Sequence, residues 1–506
     1  MNATNHPPAR PGAVLGTGLG LGLLGDALLR APGAPALNLF LWAAALAAAV
    51  ALLLRRGGGQ PSAEAAALLG VGLFFAATLA WRDSPALKLL ALAATAGAFA
   101  LPALEAGAAW VSRSGVTRYG LAVAVAGVRS VLGPVPALVD VDWAALRERQ
   151  ASGARLRHAG AVARGVVLAL PLLLVFGGLF IAADAVFAEL VVDFLRIDLE
   201  RLASHLVLVG FFGSVAAGYA YGFVTGTRLP VPRSLAARRP WLGLTEVGIA
   251  LGLLAALFAV FVAVQFRYLF GGAALVGVTP GLTYAEYARR GFFELVVVVA
   301  LMLPVLLAAD WLLRRERPRD DAVFRTLAAV QLVLLVAVMA SALQRMRLYL
   351  DAYGLTEARF YATSFLLWLT VVLVWFVATV LRGRRDSFAF GALVSAFAVA
   401  ALLVAINPDA MIARTNLARQ RAGEVFDAQY VTYLSGDAVP VLVPALPGLP
   451  VEARCRIAQR LLVRWAREDE PDWRNWSWGA ARARAVVRAH ALELGRFAQE
   501  CPPPGR

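Results

Sequence analysis

The chain is nearly without cysteine, histidine and lysine, and it carries little charge of any kind. Of its 506 residues two are cysteine and four are histidine, and Lys88 is the single lysine. There is no CxxC pair and no zinc-ligand spacing, and His6, His158, His205 and His490 are too scattered to form a metal site. No metal, catalytic set or cofactor is therefore expected. Nucleotide-binding loops and kinase signatures are missing too, which argues against a self-contained energy-coupled machine. Charged residues make up only 16% and hydrophobic ones 60%, with mean hydropathy +0.69. Soluble chains hold about 45–50% apolar residues. The shortage of charge thus excludes a soluble globular protein. A cleavable leader is not expected either, because the first apolar run has no small-residue cleavage site and reads as an anchor.

What is present is a series of apolar runs. About eleven are near the ~20 residues needed to cross a ~30 Å hydrocarbon layer. They fall near 13 to 29, 36 to 54, 64 to 81, 86 to 104, 161 to 183, 204 to 226, 243 to 266, 291 to 313, 324 to 344, 361 to 381 and 387 to 406. Each must be helical, since a lone strand in lipid leaves its backbone polar groups unpaired. The first is the weakest, being short, glycine-rich and interrupted by Asp26, and is expected to be tilted or only partly inserted. The fold class is all-α: a polytopic helical membrane domain over 1–406 and a small α-helical extracytoplasmic domain over 407–506. The bilayer is the one certain partner, and nothing in the sequence sets the oligomeric state.

The net charge of +15 comes almost wholly from arginine. In a soluble chain it would suggest nucleic acid, but here the arginines sit in short loops and act as orientation signals. Basic loops at Arg55 and Arg56, from Arg113 to Arg164, at Arg228 to Arg239, from Arg314 to Arg325 and at Arg382 to Arg385 fall on one side, expected to be cytoplasmic. The segment 184 to 201, with five acids against two arginines, belongs outside. The amino terminus is then cytoplasmic and the tail extracytoplasmic. Mixed segments at 119 to 139 and from Ala185 read as helices lying at the interface.

Asn407-Pro408-Asp409 is a helix-start signal: a capping side chain, a proline at the first position and an acid at the positive end of the dipole. Further starts follow at Asp427 and at Ser435-Gly436-Asp437. The stretch from Val451 puts Ile457, Leu461, Leu462 and Trp465 on one stripe, and ARARAVVRAHALELGRF from Ala481 repeats the pattern as another helix. Trp473, Trp476 and Trp478 lie between them, as tail core, membrane-interface anchor or sugar-stacking platform. Cys455 and Cys501 are either two thiols or a disulfide, which in an exported tail would contribute on the order of 4 kcal/mol.

Polar residues crowd the outer span ends, against the positive-inside trend. The candidate ligand-binding set is Arg267, Tyr284, Tyr287, Arg289, Glu294, Arg345, Tyr349, Asp351, Arg359, Asp409 and Arg414. Glu294 stands about one turn inside the membrane, where an unpaired acid costs ~2.5 kcal/mol or more, so a partner such as Arg267 or Arg345 is expected. These groups either lock the last five helices together or form an anion site, since arginine forks match phosphate and carboxylate. The glycine-rich FGGAALVGVTPGLTY lies over the same region as a flap.

The combination FRYLFGG, LTYAEYARRGFFEL, RMRLYLDAYGLTEARFY, INPDAMIARTNLAR, YLSGDAVPVL and DWRNWSWGAARARA resembles a domain-of-unknown-function family of polytopic bacterial inner-membrane proteins, of the 4173 or 4153 type. The resemblance implies a topology and a bacterial inner membrane, and no reaction. Three functions stay open. One is a non-enzymatic envelope protein whose outer pocket binds an anionic lipid, envelope component or partner protein. The others are an enzyme on a lipid-linked substrate and a transporter of a small anion. The enzyme reading is weakened because the first outer loop, RAPGAPA, has no acid, and the transporter reading by the lack of a clear inverted repeat.

Overall fold

The computed structural model describes residues 11–102, 199–225, 242–276, 292–466 and 472–501, together with scattered positions between 119 and 135. Among them every regular element is a helix and no strand occurs. In chain order the longer helices are α1 (Pro11–Leu29), α2 (Leu37–Arg56), α3 (Ala63–Trp81), α4 (Pro85–Ala100), α5 (Leu199–Thr225), α6 (Leu244–Val276) and α7 (Phe292–Leu312). They continue with α8 (Pro318–Tyr353), α9 (Glu357–Thr379), α10 (Phe388–Ile406), α11 (Pro408–Arg421), α12 (Val451–Trp465), α13 (Trp478–Ala489) and α14 (Ala491–Gln499). Among the described residues nine helices are long and apolar enough to cross a membrane, and α4 is a shorter apolar helix. The protein is an all-α polytopic membrane protein. The expected span at 161 to 183, the interfacial helix from Ala185 and most of that at 119 to 139 lie outside the described residues.

The chain divides into two compact units and passes between them several times, once inside α2. In the first, α1 packs on α5 through glycine. Gly18, Gly22 and Gly25 recur at spacings of four and three, on one helix face, where small side chains let backbones approach. A Cβ on Gly22 would stand 2.5 Å from the Val209 carbonyl oxygen, and one on Gly18 would stand 2.7 Å from Ala217 Cβ. Asp26, the acid that makes α1 the weakest run, is engaged there: its Oδ2 lies 2.5 Å from His205 Nδ1 on α5, and its Oδ1 accepts from Arg30 Nε at 3.0 Å. A partner of this kind is what an acid within an apolar helix requires. Hence α1 is a complete 19-residue helix.

The second unit holds α3, α4, α6 to α10 and the tail. Phe292, Val299, Leu306, Phe324, Leu335, Leu366 and Phe376 form the centre of its helix bundle. Its outer surface is apolar as well, with Leu253 69% and Val333 69% exposed, the reverse of a soluble protein and the requirement of a lipid-facing wall. At one end of this bundle two arginines and two acids close a ring. Arg315 bonds Asp310 at 2.8 Å and Asp321 at 2.6 Å, and Arg385 reaches the same two at 3.1 and 3.3 Å.

After Asn407 the chain builds a hydrophobic cluster of its own, including Ile412, Leu417, Val431, Leu442, Leu446, Ile457, Leu461, Trp465, Val487 and Leu494, and taking in Leu355 from between α8 and α9. The single helix expected from Ala481 is two, α13 and α14. They break at His490, which leaves helical geometry at φ −109°, ψ 16° and turns Nδ1 to the Val486 carbonyl 2.9 Å away. An unbroken apolar period cannot show such a break. The three tail tryptophans do not enter the core: Trp473 is 59%, Trp476 37% and Trp478 53% exposed. Cys455 and Cys501 are joined as a disulfide with Cα atoms 5.3 Å apart.

Two expectations follow. Gly22→Leu lowers the thermal midpoint of the purified protein, at a cost of about 1–3 kcal/mol for overpacking, whereas Gly20→Leu, where a Cβ meets nothing within 4 Å, leaves it unchanged. Alkylation of the unfolded chain adds no mass until a reductant is supplied, and two additions appear afterwards.

Candidate functional site

The polar residues of the second unit concentrate where the turns between its long helices meet the tail. The joint is Asn407. Its backbone sits in the left-handed region at φ 58°, which asparagine tolerates better than most residues. In that conformation its N–H closes α10 on the Leu403 carbonyl at 3.3 Å, and its side chain caps α11 by accepting from Ala410 N at 3.3 Å. One residue therefore ends one helix and starts the next. Asp409, in the first turn of α11, is fully buried, and its Oδ2 accepts from Ser435 N at 3.2 Å. Glu357, at the start of α9, brings its carboxyl beside Asp409, while its N–H donates to the Tyr430 hydroxyl at 2.6 Å. Burial pushes the Tyr430 phenol up to about 12, so it stays neutral and available as an acceptor.

The turn from α8 to α9 is held by amide and guanidinium groups. Asn416 both accepts from Leu355 N at 2.9 Å and donates to Leu355 O at 2.8 Å, satisfying both backbone groups of that buried residue. Gly354 makes this fit possible: it has φ +72°, and a Cβ there would stand 2.8 Å from Asn416 Oδ1. Arg359 donates to the Gly354 and Tyr353 carbonyls at 2.5 and 3.1 Å and lies 3.8 Å over the Tyr349 ring. Arg419 donates to the Asp351 carbonyl at 2.7 Å.

Between α3 and α4 the sequence Arg82-Asp83-Ser84 engages Gly436-Asp437 reciprocally. Gly436 N donates to Asp83 Oδ2 at 2.9 Å, and Asp83 N and Ser84 N donate to Asp437 Oδ2 at 2.7 and 3.3 Å. Each carboxylate thus serves the backbone at the other's turn. Arg82 stands 3.8 Å from Asp437 and also donates to the last carbonyls of α10, Val404 at 2.9 Å and Ala405 at 3.3 Å. Lys88 Nζ lies 3.6 Å from Asp83. The packing is close enough that a Cβ on Gly479 would fall 2.5 Å from Asp437 Oδ1. Burial pushes the Asp437 carboxyl above its ordinary value, although the Asp83 N–H and the Arg82 charge pull it down. A second tie joins the tail to the start of α2: Leu37 N donates to the Trp476 carbonyl at 3.3 Å, and Asn38 Nδ2 to Asn475 Oδ1 at 3.0 Å.

The candidate residues are distributed over several places. Tyr349, Asp351 and Arg359 come together at the α8–α9 turn, and Asp409 lies beneath it. Arg345 is elsewhere, on α8, where its Nη2 donates to Gln265 Oε1 of α6 at 2.7 Å. Arg414 is exposed on α11, and Glu294 is exposed in the first turn of α7. Arg267 is in α6, with its side chain outside the described residues; the first part of the expected flap, 270–276, continues α6 as helix, and its remainder with Tyr284, Tyr287 and Arg289 lies outside the described residues. Arg82, Asp83, Ser84, Lys88, Glu357, Asn416, Tyr430 and Asp437 were not among the candidates. One signal for them was in the sequence. The only lysine lies in an apolar run and calls for an acid nearby, and Asp83 is five positions before it.

Chemically the Asp83 and Asp437 carboxylates are turned inward, onto backbone N–H groups and cations of the same chain, while Glu357 and Asp409 set their carboxyls against each other. That arrangement holds parts together. A family model described as a domain of unknown function (DUF4153) matches residues 63–445, a range that contains both halves of the Asp83–Asp437 exchange. No curated protein and no solved structure matches the chain.

Asp437→Ala is expected to cost about 3–5 kcal/mol, the range for removing one partner of a buried ion pair; Asp437→Asn keeps an acceptor and costs less. Because the folded carboxyl is raised, its contribution favours the fold at low pH and declines as pH rises from the usual carboxylate range through the raised value. Thermal melts across that range test this, since the slope assigned to Asp437 is absent in Asp437→Asn.

Proposed function

The chain belongs to the DUF4153 family, and we propose that it is a non-catalytic multi-pass protein of a bacterial inner membrane that holds its C-terminal helical domain on the outer face as a platform for an anionic lipid, an envelope component or a partner protein. The observation that carries this reading is the reciprocal exchange between residues 82–84 and 436–437. It fixes the tail to the helix ends by backbone hydrogen bonds at both turns, and further hydrogen bonds at 37–38 and 355–357 add to it.

The ties at 82–84 and 355–357 both lie beside the end of α10, the first through Arg82 on its last carbonyls and the second through Glu357 beside Asp409. Arg382, Arg384 and Arg385 stand at the opposite ends, between α9 and α10. By the positive-inside rule those ends face the cytoplasm and the tail faces outward. Exposed Trp476 and Trp478 sit beside the start of α2 and the end of α3, the depth at which amphipathic rings favour the headgroup layer. Exposed Arg414 and the arginines of α12 supply the attraction for anions.

Val425, 86% exposed between α11 and the turn at Ala428–Val431, is the place to test this. A Val425→Cys protein in intact cells is expected to react with a membrane-impermeant maleimide. Reaction only after lysis would place the tail inside and overturn the reading.

A further inference from the structure

Helix α12 is two-sided. It buries Cys455, Ile457, Ala458, Leu461 and Trp465 in the tail and turns Arg456, Gln459, Arg460 and Val463 outward. Opposite them stand Gln429, Thr432 and Tyr433, and the two sides enclose an open groove of about 420 Å³. Its basic groups differ from their neighbours on the same helix. Arg454 is taken by Glu500, and Arg464 by the Leu434 carbonyl at 2.9 Å. Among the described residues no carboxylate pairs with Arg456 or Arg460. They are four positions apart on a helix, hence adjacent along one face, and Arg460 lies 5.9 Å over the Tyr433 ring, which is 62% exposed.

We propose that this groove binds a hydroxylated anion, a sugar or glycerol unit bearing phosphate or carboxylate, a reading that rests on the tail's being an outward-facing platform and names its site. Each part of the ligand has a counterpart. Two guanidinium forks match the oxygens of phosphate or carboxylate in two-point fashion. The Gln429 amide both donates and accepts, Gln459 keeps an oxygen and one N–H beside the bond it gives the Ala498 carbonyl at 3.1 Å, and the Thr432 hydroxyl, whose proton goes to the Gln429 carbonyl at 2.7 Å, accepts, which together meet the two-way needs of sugar or glycerol hydroxyls. The Tyr433 face offers a flat apolar surface for a ring. The volume is within the ~300–1,000 Å³ range of small-molecule sites. Arg456, Gln459, Arg460 and Val463 lie past residue 445, outside the stretch the family model matches, while Gln429, Thr432 and Tyr433 fall within it.

The test is calorimetric titration of the full chain in nanodiscs of zwitterionic lipid with glucose 6-phosphate, glycerol 1-phosphate, glucuronate, glucose and inorganic phosphate. Tighter binding of the phosphorylated or carboxylated compounds than of glucose or inorganic phosphate is expected, and Arg456→Ala and Arg460→Ala each weaken it ~10-fold, about 1.4 kcal/mol. The two phosphates against glucuronate separate phosphate from carboxylate recognition. Arg421→Ala, an exposed change outside the groove, leaves binding unaltered. All the altered side chains are exposed, and unchanged melting curves confirm that the variants fold. Binding that survives both groove substitutions, or no binding by any of the charged hydroxylated probes, overturns the assignment. The maleimide experiment reads sidedness and not affinity, so a mistaken orientation and an empty groove give different results.

Discussion

Asp83 and Asp437 are separated by most of the chain, and the second unit is arranged around the hydrogen bonds they exchange. A carboxylate removed from water must be met by donors or it opposes folding. Here the donors are the backbone N–H groups of two turns that no helix ladder can satisfy, so each acid and the opposite turn meet a need of the other. Arg82 extends the same arrangement to α10 by occupying the carbonyls that its final turn leaves open. Three separate pieces, the α3–α4 turn, the end of α10 and the Ser435–Asp437 turn, are thereby fixed by a few short contacts.

The two units use different physics to bring helices together. Between α1 and α5 the association is one of shape: glycine removes the side chains, backbones approach, and a single acid is matched by His205 and Arg30. In the second unit the turns that meet the tail add polarity to the tail's own hydrophobic cluster. Side-chain amides and guanidinium groups stand in for missing backbone partners, as Asn416 does at Leu355 and Arg359 at Gly354. Between membrane helices such devices are needed because apolar burial alone gives no direction, lipid and helix surface being equally greasy.

The candidate site illustrates why local chemistry did not reveal spatial grouping. Arg345 and Arg359 stand fourteen positions apart around the same turn, yet one serves Gln265 on α6 and the other the carbonyls of its own loop. Ser435-Gly436-Asp437 is the helix start its sequence suggests, but Ser435 caps it, and the Asp437 carboxylate serves the α3–α4 turn far along the chain. Glu357 and Tyr430 carried no signal, since a glutamate at a helix start is expected for the dipole alone. The groove on α12 was hidden for another reason. Arg456 and Arg460 read as the polar side of an amphipathic helix, and only the position of residues 429–433 opposite them turns a solvated face into a trough.

Hydropathy by itself determined that the chain is a helical membrane protein and where most of its crossings lie, because the hydrocarbon layer imposes a length and forbids unpaired backbone. Local chemistry likewise determined the Asn407 joint and the starts at Asp427 and Ser435, each a matter of a few consecutive residues. What tertiary structure decided was partnership. The engagement of Asp83 with Asp437, the break at His490, the exposure of the tail tryptophans and the groove beside Tyr433 all depend on groups distant in sequence, and a one-dimensional pattern of apolar and charged residues holds no record of distance between them.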